Sequence, residues 1–223
     1  MEYDRVEKEI GYKFKNKKLL EKAFTHTSYA YEHKIESNEK LEFLGDAILE
    51  VTISKFLYRH YQKLTEGEMT KVRAAVVCEK SLYKVAKRHN FSDFLFLGRS
   101  EIINNGKERP AILADSVEAL IAAMYLDSNI ETVEKFILSN LKLAVETASK
   151  HVGERDYKTV LQEKLQVHGD VHISYRTIDE IGPDHNKTFV VELSVNGEKK
   201  SQGVGSNKKE AEMSAAREAL KLL

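Results

Sequence analysis

Residues 38–50 read NEKLEFLGDAILE, and within them Glu39, Glu42, Asp46 and Glu50 recur at spacings of three, four and four. At about 100° per residue on a helix, these carboxylates share one face roughly 80° wide. Leu41, Leu44, Ile48 and Val51 fall on the opposite side and predict a stripe facing the core. The stretch is therefore read as a helix whose acidic face is kept for solvent, for a cation or for a cationic partner. Phe43 projects about 40° from Glu39, on the acidic side. Either a neighbouring helix covers it or it anchors an interface, since a phenyl ring left in water gains nothing.

The helical pattern extends on both sides, from Arg5 to about Ala148, with amphipathic runs at 40–62, 68–89, 111–126 and 131–148. Residues 1–149 are thus expected to form an all-α domain. The polar stretch SKHVGERD at 149–156 predicts a linker over 150–156. Beyond it the period changes. After a helical segment, TVLQEKLQVHG, Val171, Ile173 and Tyr175 alternate with polar neighbours, and Phe189, Val191, Leu193 and Val195 repeat at every second position. Asn196-Gly197 is a hairpin signal leading to a third strand near 200–204, and KKEAEMSAAREALKLL reads as a closing helix. The expected fold is multidomain: an all-α domain, then a small α+β domain over 157–223 in the order α-β-β-β-α, its sheet covered on one face by two helices.

The chain has 223 residues, 42% of them hydrophobic, and a formal net charge of zero. Charge stays nearly balanced on either side of residue 150, so composition provides no general attraction to phosphate, and any nucleic-acid role must rest on local patches. The first residues are charged, and no apolar run approaches the roughly 18 residues of a membrane span. Cys78 stands alone, which excludes an internal disulfide or a thiolate metal site and fits a reducing cytoplasm. It is expected to be a small buried hydrophobe.

A second acidic pair, Asp115 and Glu118, lies in PAILADSVEALIAAMYLDS, where Leu113, Val117, Leu120, Ile121 and Met124 predict a buried side. Small residues, Ala111, Ala119 and Ala122, line the acidic side and permit a close helix approach. Were this helix packed on the acidic face at 39–46, several carboxylates would converge, raising their pKa values or demanding a cation. Oxygen ligands without Cys or His favour a hard ion such as Mg²⁺ over zinc. Two such ions can clamp a phosphodiester and activate water for in-line attack. A solvated acidic face is the plainer alternative. Glu66 sits beside a capping box, Thr65 with Glu68, in a first turn where the helix dipole favours negative charge, so its spacing needs no catalytic role. Lys208 and Lys209 occupy the first turn of the closing helix, where cations are unfavourable unless an anion such as phosphate joins them. Ser206 or Asn207 can cap that helix, and Asn207 with Glu210 has capping-box spacing.

NEKLEFLGDAIL closely resembles the signature of the bacterial ribonuclease III family, and ILADSVEALIAAMYLDS resembles its second acidic motif. KTVLQEKLQ, GPDH and GSNKKEAEMSAAREAL resemble the double-stranded-RNA-binding domain that follows the nuclease domain there, so the similarity covers essentially the whole chain. It implies Mg²⁺-dependent cleavage of double-stranded RNA, with Mn²⁺ as a substitute ion, by a cytoplasmic homodimer that uses no membrane and no nucleotide cofactor. The products implied are 5′-phosphate and 3′-hydroxyl ends with short 3′ overhangs. The implied roles are processing of rRNA precursors and of some mRNAs and tRNAs. Glu42, Asp46, Asp115 and Glu118 match the metal-centred catalytic set, while Glu39 and Glu66 match acidic positions that support it. Glu50 matches no functional position. Phe43 matches an aromatic that inserts into a socket on the partner subunit. Gln162 and Glu163 are implied contacts to one minor groove, Pro183, Asp184 and His185 to a second, and Ser206, Asn207, Lys208 and Lys209 to the phosphates between. Two rivals are a non-cleaving double-stranded-RNA-binding protein of the same architecture and a small-molecule metal phosphohydrolase. The intact acids argue against the first, the C-terminal grip against the second.

Overall fold

The computed structural model describes residues 2–152, 157–166, 171–183 and 187–223, and the chain divides into two compact units, 1–153 and 154–223. In the first unit the elements are α1 (Tyr3–Ile10), α2 (Lys17–Ala23), α3 (Thr27–His33), α4 (Glu39–His60), α5 (Glu66–Val76), α6 (Glu79–Arg88), α7 (Arg99–Ile103), α8 (Pro110–Asp127) and α9 (Ile130–Val152). Short 3₁₀ turns at Phe91–Asp93 and Gly106–Glu108 flank α7. The hub is α8, in which Leu113, Val117, Leu120, Ile121 and Met124 are all but fully buried. A helix apolar on nearly every side belongs inside, and α2, α4, α6 and α9 all pack against it. Pro110 opens α8 at a position where no amide hydrogen is needed.

Three local expectations are corrected by the structure. The run 68–89 is two helices, because Cys78 takes an extended backbone (φ −73°, ψ 156°) as the N-cap of α6. Cys78 is consequently exposed instead of buried, its thiol donating to the Ala75 carbonyl at 3.3 Å. Val51, expected in the core, is 62% exposed. The buried stripe of α4 runs through Leu41, Gly45, Ile48, Leu49, Thr52, Ile53 and Leu57. At about 100° per residue it is turned by roughly 80° from the Leu41–Leu44–Ile48–Val51 face, towards Glu42. In addition, α9 continues through Val152, taking 150–152 from the expected linker; residues 153–156 lie outside the described ones.

The second unit has the expected order: α10 (Tyr157–Gln166), β1 (Ile173–Ile181), β2 (Thr188–Val195), β3 (Glu198–Gly205) and α11 (Lys208–Leu220). The sheet is antiparallel in the order β1-β2-β3, with Leu193 opposite both Tyr175 and Ser201. Asn196 (φ 52°) and Gly197 (φ 82°) make the tight β2–β3 turn, which requires two positive φ values. Leu161 of α10, Leu193, and Ala215, Ala216 and Ala219 of α11 form the core.

This small core depends on an unusually close approach. A Cβ on Gly203 would stand 2.1 Å from the Ala215 nitrogen and one on Gly205 2.4 Å from the Ala211 nitrogen, so α11 lies with its backbone against β3. Replacing Gly203 by Ala forces the helix off the strand. Overpacking of this kind costs about 1–3 kcal/mol or more. Urea denaturation followed by circular dichroism is expected to show Gly203→Ala losing the second unit at lower urea while the first unit's transition is unchanged.

Candidate active site

The rotation of the α4 stripe brings one carboxylate of the acidic face to the seam with α8. Gly45 lies at the centre of that seam, where a Cβ would stand 1.8 Å from the Glu118 carbonyl oxygen. Only a residue without a side chain lets the two helices meet this closely. One turn before it, Glu42 faces Asp115 and Glu118, and one carboxylate oxygen from each of these three lies within 4.8 Å of the others. All three residues are half-buried.

Burial is the main reason their ionised forms are unfavourable, and mutual repulsion adds to it. The Glu118 carboxyl is pushed up to about 8, first by burial and then by the charges of Asp46, Asp115 and Glu42. Glu42 is raised by burial and by the charges of Asp115, Glu39 and Asp46. Asp115 is raised by burial and by Glu79, at the first position of α6. Three oxygens at such spacing, with neither sulfur nor imidazole among them, fit a hard divalent cation, which would offset the charge that the protein leaves unbalanced.

The other expected residues lie around this cluster. Asp46, on the same face of α4, is exposed and outside the group of three, acting on Glu118 through its charge. Glu39 is exposed in the first turn and accepts from the Ser37 hydroxyl at 2.9 Å. Glu66 is exposed at the start of α5, outside the group of three, and accepts from the Thr70 hydroxyl at 3.0 Å. Thr65 and Glu68 form the reciprocal capping box expected of them. Phe43 is 81% exposed, and Val51 and Tyr58 (75%) continue the exposed apolar flank of α4. Gly45 and Glu79 escaped the sequence reading. The first leaves no signal except a glycine inside a strong helical pattern, and the second is distant in sequence from both acidic motifs.

In the second unit, Gln162 and Glu163 are exposed on α10, and Pro183 is exposed at the end of the described part of its loop; Asp184 and His185 lie outside the described residues. Asn207 caps α11 by accepting from the Glu210 amide at 3.0 Å, and Glu210 reaches back to the Ser206 amide (2.8 Å) and hydroxyl (2.6 Å). Of the two candidates Asn207 is thus the cap; Ser206 only donates to the Glu210 carboxylate, and since Glu210 reaches Ser206 and not the Asn207 amide, the expected Asn207–Glu210 capping box is half formed. Lys208 lies 3.4 Å from a Glu180 oxygen and over the Phe189 ring, while Lys209 is exposed in the same turn.

A family model described as Ribonuclease-III-like matches residues 16–145, a span that includes both acidic motifs. The chain belongs to the ribonuclease III family. A second model, described as a double-stranded RNA binding motif, matches residues 157–223. The chain is 45% identical to Ribonuclease 3 of Clostridium perfringens over 98% of its own length and 92% of the relative's. It is 46% identical to Ribonuclease 3 of Caldanaerobacter subterraneus, covering 98% and 96%. The crystallised nuclease domain of ribonuclease III from Campylobacter jejuni, which has a region involved in dimer formation, is 39% identical. It covers 62% of this chain and 98% of that one, with a TM-score of 0.58. Dicer from Pichia stipitis, 23% identical with a TM-score of 0.51 over 93% of this chain and 94% of its own, shares the fold. The chain is accordingly an enzyme of this family, an endoribonuclease acting on double-stranded RNA. No described helix is long and apolar enough to cross a membrane.

The raised Glu118 carboxyl makes the metal-free fold sensitive to pH. Between the ordinary value of 4.5 and about 8 the folded state holds more protons at this site than the unfolded state, so stability falls as pH rises through that window. Thermal melts in EDTA at pH 5 and pH 8 are expected to show this fall in the wild type and much less of it in Glu118→Gln. The substitution is expected to raise the melting temperature at pH 8 by about 2–6 °C. A wild-type melting temperature that does not fall between these pH values would refute an elevated Glu118 carboxyl.

Proposed function

We propose that Glu42, Asp115 and Glu118, with Asp46 beside them, hold Mg²⁺, and that this site hydrolyses one phosphodiester bond in a strand of duplex RNA. The observation that supports the reading best is the convergence of three carboxylate oxygens within 4.8 Å across the α4–α8 seam. Bound Mg²⁺, or Mn²⁺ in its place, supplies charge neutralisation at the phosphoryl oxygens and an activated water. The residues of the chain keep the ion-binding oxygens facing one another, and the exposed Glu39 and Glu66 border the approach of the substrate. In the reaction, water adds to phosphorus, the bond from phosphorus to the 3′ oxygen breaks, and the leaving oxygen takes a proton. The ends formed are a 5′-phosphate and a 3′-hydroxyl.

A homodimer accounts for the exposed flank of α4, where Phe43, Val51 and Tyr58 present apolar surface that a partner subunit would cover. Two sites then act on the two strands with an offset, which leaves short 3′ overhangs. The second unit grips the duplex through Gln162 and Glu163, through the loop containing Pro183, Asp184 and His185, and through Ser206, Asn207, Lys208 and Lys209. Precursor rRNA and structured mRNA and tRNA precursors in the cytoplasm are the substrates in this reading.

Cleavage of a long end-labelled duplex is expected to require a divalent ion, to stop in EDTA, and to fall by at least about 10²-fold in Glu118→Ala while duplex binding persists. Binding without cutting by the wild type in Mg²⁺ would support the non-cleaving alternative. Lys208→Ala with Lys209→Ala should weaken duplex binding uniformly across sequences and reduce the salt slope by about 1–2.

A further inference from the structure

Asn38 stands at the N-cap of α4, a position where asparagine ordinarily accepts a hydrogen bond from an amide of the first turn, a bond worth about 1 kcal/mol. In this chain it does not. Its backbone is helical (φ −78°, ψ −9°) and its side chain makes no bond to the first turn. The side chain is buried, with the residue only 3% exposed, and its amide nitrogen donates to the carbonyl of Ala23 at 3.4 Å. Ala23 is the last residue of α2; the two carbonyls before it accept from the Phe24 amide, and its own accepts from Asn38. The asparagine side chain is instead tied to the end of another helix.

The backbone strengthens that tie. The Asn38 amide donates to the Thr25 carbonyl at 2.8 Å, and the segment that receives it is itself held from the far side. Thr25 forms an isolated bridge with Phe96, the Phe96 amide donates to the Phe24 carbonyl at 2.8 Å, and the His26 amide donates to the Phe96 carbonyl at 3.1 Å. Residues 23–26 therefore form a fixed anchor between the 96 segment and Asn38. On its other side, the Asn38 carbonyl accepts from the Glu42 amide at 2.9 Å. Glu42 is the one member of the three-carboxylate group carried by α4, so the first turn of that helix is all that separates it from the anchor.

We propose that Asn38 is a positioning residue of the nuclease: by fastening the start of α4 to the end of α2, it holds the first turn of α4 in the orientation that keeps the Glu42 carboxylate facing Asp115 and Glu118. The assignment rests on the proposed role of those carboxylates as ion ligands. Asn38 touches neither ion nor RNA in this role and acts through Glu42. Residues that orient ligands from behind typically change metal affinity about 10–100-fold when removed.

The test uses the full chain and Asn38→Ser, a small polar side chain too short to keep the amide-to-Ala23 bond. Calorimetric titration with Mn²⁺ in the absence of RNA is expected to show affinity about tenfold weaker than wild type. The Mg²⁺ concentration giving half-maximal cleavage should rise by a similar factor, with the rate at saturating Mg²⁺ and duplex binding in EDTA nearly unchanged. In a Glu42→Gln background, the same substitution should leave Mn²⁺ affinity where Glu42→Gln alone puts it, because the route through Glu42 is already lost. A folded Asn38→Ser with wild-type Mn²⁺ affinity overturns the proposal, as does an effect that persists undiminished in the Glu42→Gln background. If Asn38→Ser does not fold, Asn38→Asp, which keeps the shape and loses the donor, takes its place. Failure of both to fold also overturns the proposal, since Asn38 would then hold the fold and not the site. A wild type that binds no Mn²⁺ and cuts in EDTA would instead overturn the reading of the carboxylates as ligands.

Discussion

Two helices that both carry carboxylates on their facing edges repel each other, and backbone contact between them must be held by something stronger. In this chain it is the contact of Gly45 with the Glu118 backbone, supported by the apolar stripes of α4 and α8 behind it. Burial of several large aliphatic side chains per helix, at about 1.5–3 kcal/mol each, outweighs the repulsion of the carboxyls at the rim. The helix seam therefore comes first in the energetics, and the acidic cluster is a strain it withstands. Where α8 sits in the core decides where Asp115 and Glu118 can be, and the glycine decides how near Glu42 comes to them.

The same arrangement explains why the site is assembled from a helical scaffold and not from loops. Glu42 and Asp46 are one turn apart on α4, and Asp115 and Glu118 one turn apart on α8, so two rigid elements fix four oxygen-bearing side chains. Side chains on helices have few ways to drift, so carboxylates that repel one another are kept facing each other. The exposed flank of α4 lies on the outside of the same helix. Its apolar surface and its acidic edge are consequently presented in a fixed relation by one element.

Much of this architecture is legible in the sequence because the strongest signals are periodic. The α4 and α8 patterns, the alternation in β1 and β2, and the Asn196-Gly197 turn each specify local structure without tertiary context. The departures have a common origin. A four-residue apolar stripe points Val51 into the core on a helical wheel, yet the axis of burial is set by which neighbour a helix meets, and the glycine at 45 moves it. Cys78 interrupts a run whose amphipathic period continues on either side, and only the extended backbone at the cap shows the break. Glu79 acts on Asp115 across a helix contact that no local spacing records. The acids of the cluster are legible; their grouping of three with Asp46 outside it is not.

The flush contact of α11 on β3 has a consequence for what the second unit can discriminate. With no layer of side chains between helix and strand at Gly203 and Gly205, the gap has almost no give, and the turn bearing Lys208 and Lys209 is fixed relative to the three strands. In the proposed grip, a surface of that stiffness would work as a calliper: it would register the spacing of phosphates and grooves along a helix and accept A-form geometry whatever the bases, while a duplex of different groove width would not satisfy its contacts at once.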